Sequence, residues 1–137
     1  KTRFTVVFEH YPWFLGGNGK TFQYARWSKF FDENGVDLAV SAHNHIYLRT
    51  DALYNDQETD GNSGTVYLQT PSTDNERGES INEWKYNKDK IKIRWNEGAK
   101  TMGAILLKAN SDQLSLTAYD RYGNALDNVI VKAKKRK

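Results

Sequence analysis

Val36-Asp37-Leu38-Ala39-Val40-Ser41-Ala42-His43-Asn44-His45 is the stretch on which the fold turns. Its first five residues form a short apolar run of strand type, and the run gives way to a polar segment with two histidines in alternate positions. Just upstream, residues 21–34 change to a helical period, with Tyr24, Trp27 and Phe31 at i, i+3 and i+7 and Phe30 beside them. Thr21 is suited to cap the start of that helix, and Asn34-Gly35 to end it. Before the helix, Phe4-Thr5-Val6-Val7-Phe8 is nearly continuous in apolar and β-branched residues, which predicts a strand buried on both faces. Glu9-His10-Tyr11-Pro12 ends it, because proline cannot donate to a ladder and biases the residue before it away from helix. The order strand, helix, strand predicts a right-handed crossover with the two strands parallel.

Downstream the pattern changes. Gly64-Thr65-Val66-Tyr67-Leu68-Gln69 reads as a strand after the polar, turn-rich residues 55–63, and residues 71–80 read as a loop. Ile91-Lys92-Ile93-Arg94-Trp95 alternates as a half-buried strand does. Further strands are predicted at 102–108, 113–119 and 129–132, the first pair joined by Ala109-Asn110-Ser111-Asp112. The chain therefore passes from α/β at its start to antiparallel β at its end. With no internal repeat and no linker, all 137 residues are expected to form one folded unit with a basic tail at 132–137.

The sequence has three histidines, His10, His43 and His45, and each falls just beyond the C-terminal end of a predicted parallel strand. In an open α/β sheet that rim is where ligands bind. Imidazole is a common ligand for zinc and other transition metals, and His-x-His on a loop leaving a strand can aim two rings at one ion or at two neighbours. A lone His-x-His is also an ordinary surface feature; its place after a crossover pair of strands is what favours metal binding. Three imidazoles do not suffice for a pair of divalent ions, whose repulsion calls for bridging carboxylates, and no acidic residue near His10 or His43 is an evident bridge.

Composition narrows the classes of function. Net charge is +3, yet Lys132, Lys134, Lys135, Arg136 and Lys137 fall within the last six residues; without them 15 basic side chains face 17 acidic ones. The basic balance belongs to a solvated tail and not to a folded face, so nucleic acid is not an expected partner. There is no cysteine, which excludes disulfides and thiolate metal sites. No apolar run approaches the roughly 20 residues of a membrane span. The chain starts abruptly on a strand pattern and without methionine, as a fragment with a preceding portion would.

The histidine segments resemble those of calcineurin-like metallophosphoesterases. Val7-Phe8-Glu9-His10-Tyr11-Pro12 is similar to their V-x-x-H block, and the strand followed by Ala42-His43-Asn44-His45 to their G-H-x-H block. The continuation Ile46-Tyr47-Leu48-Arg49-Thr50 resembles the H-x-Y-x-R segment of the purple acid phosphatase branch, and 64–69 with 102–131 resembles that branch's closing strands. The resemblance implies an α/β fold, the C-terminal half of a four-layer α/β/β/α sandwich, with parallel strands first and antiparallel strands after. It implies two divalent or trivalent metal ions, of iron, zinc or manganese, with His10 and His43 on one and His45 on the other. The implied reaction is hydrolysis of a phosphate ester, and an extracytoplasmic or secreted location is expected because relatives of this type are often exported.

Three departures matter. The family's D-x-H, G-D and G-N-H-[DE] blocks, with the bridging carboxylate, are absent here and are expected in an upstream half, so this chain alone should be inactive. Ala42 stands where the family has glycine, a difficulty if that backbone needs a positive φ. Residues 13–20 contain no histidine where plant-type relatives place substrate-binding ones; Asn18 and Lys20 are candidates to contact phosphate instead, against a solvated charge as the other reading of Lys20, with Trp13 and Phe14 either walling the pocket or packing beneath it. Tyr47 and Arg49 are candidates for hydrogen bonds that support the ligands. The competing reading is a non-catalytic binding module on an inactivated fold of the same kind.

Overall fold

Thr21 begins the helix by the capping chemistry its sequence suggests: its backbone is extended (φ −88°, ψ 170°), and its Oγ1 accepts the Tyr24 N–H at 3.2 Å. The same hydroxyl donates to the Pro12 carbonyl at 2.7 Å, so the cap also anchors the turn that follows His10. Gly35 ends the helix in the left-handed region at φ 63°, where a side chain would be strained. With no acidic residue in the first turn, Thr21 is the main provision for the exposed N–H groups there. Thr21→Ala should lower stability by about 1 kcal/mol, read as a shifted urea midpoint at unchanged slope.

The computed structural model describes residues 3–15, 19–73, 91–95 and 102–134, with 91–95 described as backbone. In chain order the elements are β1 (Val6–Phe8), β2 (Phe14–Leu15), β3 (Gly19–Lys20), α1 (Phe22–Asn34), β4 (Leu38–Ser41), β5 (Tyr47–Tyr54), β6 (Gln57–Glu58), β7 (Thr65–Gln69), β8 (Ile91–Trp95), β9 (Gly103–Ala109), β10 (Gln113–Asp120) and β11 (Ala125–Lys132). A mixed sheet runs β1-β4-β7-β5, with β6 and β8 both pairing on β5. β1, β4 and β7 are parallel, as the crossover predicts, and β5 turns antiparallel to β7. β9, β10 and β11 make a second, antiparallel sheet. The fold is thus α/β, parallel first and antiparallel after.

Alternation of side chains along β4 and β7 divides the core in two. Ala39 and Tyr67 face helix α1, in a cluster with Trp13, Phe14, Tyr24, Phe31, Ile46 and Leu48. Leu38, Val40, Val66 and Leu68 face the other way, against Leu114, Leu116, Ala118 and Val131 of the antiparallel sheet. Helix, mixed sheet and antiparallel sheet are three stacked layers. Trp13 and Phe14 are core residues, with the Trp13 ring edge-on to Phe31 and Tyr67 at 5.3 and 5.9 Å, so they pack beneath the loop.

Two expectations need correction. β1 is not buried on both faces: Val6 and Val7 are half-buried and Phe8 is 71% exposed, because among the described strands β1 pairs only with β4 and stands at an edge. The tail is not wholly solvated, since Lys134 Nζ donates to the carbonyls of Val36 (2.9 Å) and Gly64 and lies 3.3 Å from the fully buried Asp37 carboxylate. The longest strand of the mixed sheet, β5, has no counterpart among the strands expected from sequence. It carries a bulge at Arg49–Thr50 that lets the Thr50 hydroxyl accept the Tyr67 N–H at 3.0 Å. Its turn, with Asn55 and Asp56 both at positive φ, is clasped to α1 by Asn55 N–H on Asp32 (2.8 Å) and Tyr24 hydroxyl on Asp56 (2.9 Å).

Candidate metal centre

β1 and β4 run side by side, and the backbone keeps them in register past their ends: Glu9 N–H donates to the Val40 carbonyl at 3.0 Å and Ala42 N–H to the His10 carbonyl at 3.1 Å. This brings His10 and His43 together at one rim. His43 Nδ1 lies 3.1 Å from His10 Nε2, with the rings nearly perpendicular at 82°. The Tyr11 ring packs against both, its centroid 5.5 Å from His10 and 5.1 Å from His43. Both imidazoles are exposed. Glu9, the nearest carboxylate in sequence, accepts the Tyr11 N–H at 3.0 Å.

His43 and His45 both adopt left-handed backbone, at φ 75° and 58°, while Ala42 does not. The difficulty anticipated for a Cβ at position 42 therefore falls on the histidines themselves. Each such residue stores about 1–3 kcal/mol, a cost that concentrates at functional sites. Asn44 between them is buried, its N–H on the Ala42 carbonyl at 3.0 Å. His45 is half-buried, and its Nδ1 is buried without a hydrogen-bond partner.

Two nitrogens 3.1 Å apart can share one ion: at metal–nitrogen distances of about 2.0–2.1 Å they would subtend roughly 100°. The pair fits one metal ion that draws further ligands from elsewhere. Among the described residues no group of three or more His, Asp or Glu side chains converges on a common point.

Other candidates lie apart from these rings. Lys20 is ion-paired with Asp56, and Asn18 is outside the described residues. Tyr47 and Arg49 do not turn to the histidines but to Asp127 of β11, with Tyr47 Oη at 2.6 Å and Arg49 Nε at 2.7 Å. A cavity of about 720 Å³ lies at the C-terminal end of α1, lined by Asp32, Tyr54 and Lys134 among others, and none of the three histidines lines it. Sequence reasoning missed Gln69, whose buried amide sits at the end of β7 without a partner.

In its arrangement of strands and helix the chain is similar to the solved structure of the purple acid phosphatase PPD1 from yellow lupin (Lupinus luteus) seeds, with a TM-score of 0.72 over 97% of this chain. The chain has the fold of part of a purple acid phosphatase. It spans 25% of that chain, at 15% sequence identity, so the likeness is one of fold. No protein-family model and no curated protein matches the sequence. No helix among the described residues is long and apolar enough to cross a membrane.

Proposed function

We propose that this chain is the histidine-donating part of a phosphoesterase, and that the protein it belongs to hydrolyses phosphate esters at a dinuclear metal centre. The supporting observation is the 3.1 Å approach of His10 Nε2 to His43 Nδ1 at the carboxyl ends of adjacent parallel strands, within a purple-acid-phosphatase-like fold. A pair of metal ions supplies Lewis-acid activation of a water nucleophile and of the phosphoryl group. The chain's own part is positional. His10 and His43 offer neutral ring nitrogens to one ion, Tyr11 limits the rotation of both rings, and the left-handed turn at 43–45 presents His45 for the second. Carboxylates of the D-x-H, G-D and G-N-H-[DE] type, carried by an upstream half, would complete the site, and the phosphate ester is the expected substrate.

Calorimetric titration with Zn²⁺ tests the first step. Wild-type chain should bind, and His10→Ala or His43→Ala should weaken binding by more than roughly the 100-fold that marks the upper end for outer-sphere partners. Equal affinity in wild type and both variants would overturn the assignment. Joined to its upstream half, the chain should hydrolyse an aryl phosphate in a metal-dependent manner. A second reading, a non-catalytic binding module, draws on the absence of histidine from residues 13–20 and of a third converging ligand among the described residues; it predicts Zn²⁺ binding at most, with no hydrolysis by the joined protein.

A further inference from the structure

Sheet order places β7 between β4 and β5, so residues 42–46, which join β4 to β5, must cross the C-terminal end of β7. Gln69 is the last residue of that strand. It pairs with Ser41 of β4 on one side and Leu48 of β5 on the other, and Thr70 N–H donates to the Ser41 carbonyl at 2.8 Å. The histidine loop is therefore laid across Gln69.

Gln69 is 1% exposed, and neither its Oε1 nor its Nε2 has a hydrogen-bond partner. Within that loop, Asn44 Nδ2 and His45 Nδ1 are also buried and unpartnered. Trp13, which packs on Tyr67 of the same face of β7, leaves its Nε1 unpartnered as well. Buried polar atoms in native proteins are almost always satisfied, by protein or by ordered water. This group contains both an amide acceptor and a histidine ring nitrogen that can donate.

We propose that Gln69 is a positioning residue for His45: its amide oxygen, through one buried water, accepts the proton on His45 Nδ1 and so keeps the Nε2 lone pair free. The functional consequence rests on the reading of His45 as a metal ligand, since a ligating imidazole commonly has its other nitrogen held by an acceptor that fixes tautomer and orientation.

The test is the long-range ¹H–¹⁵N spectrum of the histidine rings in the metal-free chain, followed by Zn²⁺ titration. Wild-type His45 should carry its proton on Nδ1. Gln69→Met, similar in shape but without the acceptor, should shift His45 toward the other tautomer and weaken Zn²⁺ binding about 10-fold or more; Gln69→Glu, which keeps an acceptor, should restore both. A wild-type His45 protonated on Nε2 overturns the proposal without any variant. So does a folded Gln69→Met chain whose His45 tautomer is unchanged. If the tautomer follows Gln69 but wild-type chain binds no Zn²⁺, the positioning role stands and the metal reading fails.

Discussion

Asp127→Ala is expected to cost roughly 3–5 kcal/mol of stability, because it strands a buried guanidinium without its counter-charge. Asp127 is 8% exposed and Arg49 6%. The carboxylate accepts Arg49 Nε at 2.7 Å and Nη2 at 3.3 Å, together with the Tyr47 hydroxyl at 2.6 Å, across the interface between the two sheets. Arg49 has another carboxylate nearby, Asp51, but only at 3.8 Å. Burial alone would raise the Asp127 pKa; the hydrogen bonds from Arg49 and Tyr47 and the charge of Arg49 outweigh it and hold the group below its ordinary 3.8. A depressed folded-state pKa means that the contribution is complete above the unfolded value and is lost as pH falls through the folded one. Urea unfolding at pH 7 should show the full loss in Asp127→Ala, and between pH 4 and lower values the wild type should lose stability more steeply than the variant. A loss under about 1 kcal/mol, the level of an exposed ion pair, would show that the triad does not hold the sheets together.

Gly64→Ala should be nearly as damaging. Gly64 has φ +84°, and a Cβ there would lie 2.5 Å from the Leu53 carbonyl oxygen and 2.6 Å from its carbon, both backbone atoms that cannot swing aside. Left-handed backbone costs an ordinary residue about 1–2 kcal/mol, and forcing atoms into a packed site typically adds about 1–3. The site matters further because the Gly64 carbonyl accepts from Lys134 and because Thr65, the next residue, opens β7 opposite Leu53. The variant should show a lower thermal midpoint and early amide exchange at 53 and 65; a wild-type midpoint would mean that the β5–β7 ladder shifts to make room.

The elements that were legible in the sequence are those whose causes are local. Thr21 and Gly35 mark the ends of α1 because capping needs only the residues around it, and the apolar runs at 4–8 and 36–40 mark parallel strands. Even there, the exposure of Phe8 is not a local property, since whether a strand is central or at an edge depends on its neighbours. β5 escaped because Arg49, Thr50 and Asp51 look like loop residues; what buries Arg49 is a carboxylate 78 positions away. The grouping of histidines at strand ends could be read from spacing, and the structure brings His10 and His43 together. The left-handed turn at His43 and His45 could not, because no glycine marks either position as one of positive φ. Gln69 carried no signal, for a single glutamine at a strand end becomes notable only once the sheet order runs a loop over it.

Lys134 bridges to Val36 across 98 positions, and Asp127 to Tyr47 across 80. During synthesis, therefore, the nascent chain can complete α1, β4 and β7 long before it owns the groups that close the second sheet over them. Until β10 and β11 emerge, Leu38, Val40, Val66 and Leu68 present an apolar face to solvent or to whatever chaperone is at hand. A ribosomal pause before β10 and β11 have emerged would lengthen that exposure, and their emergence would end it.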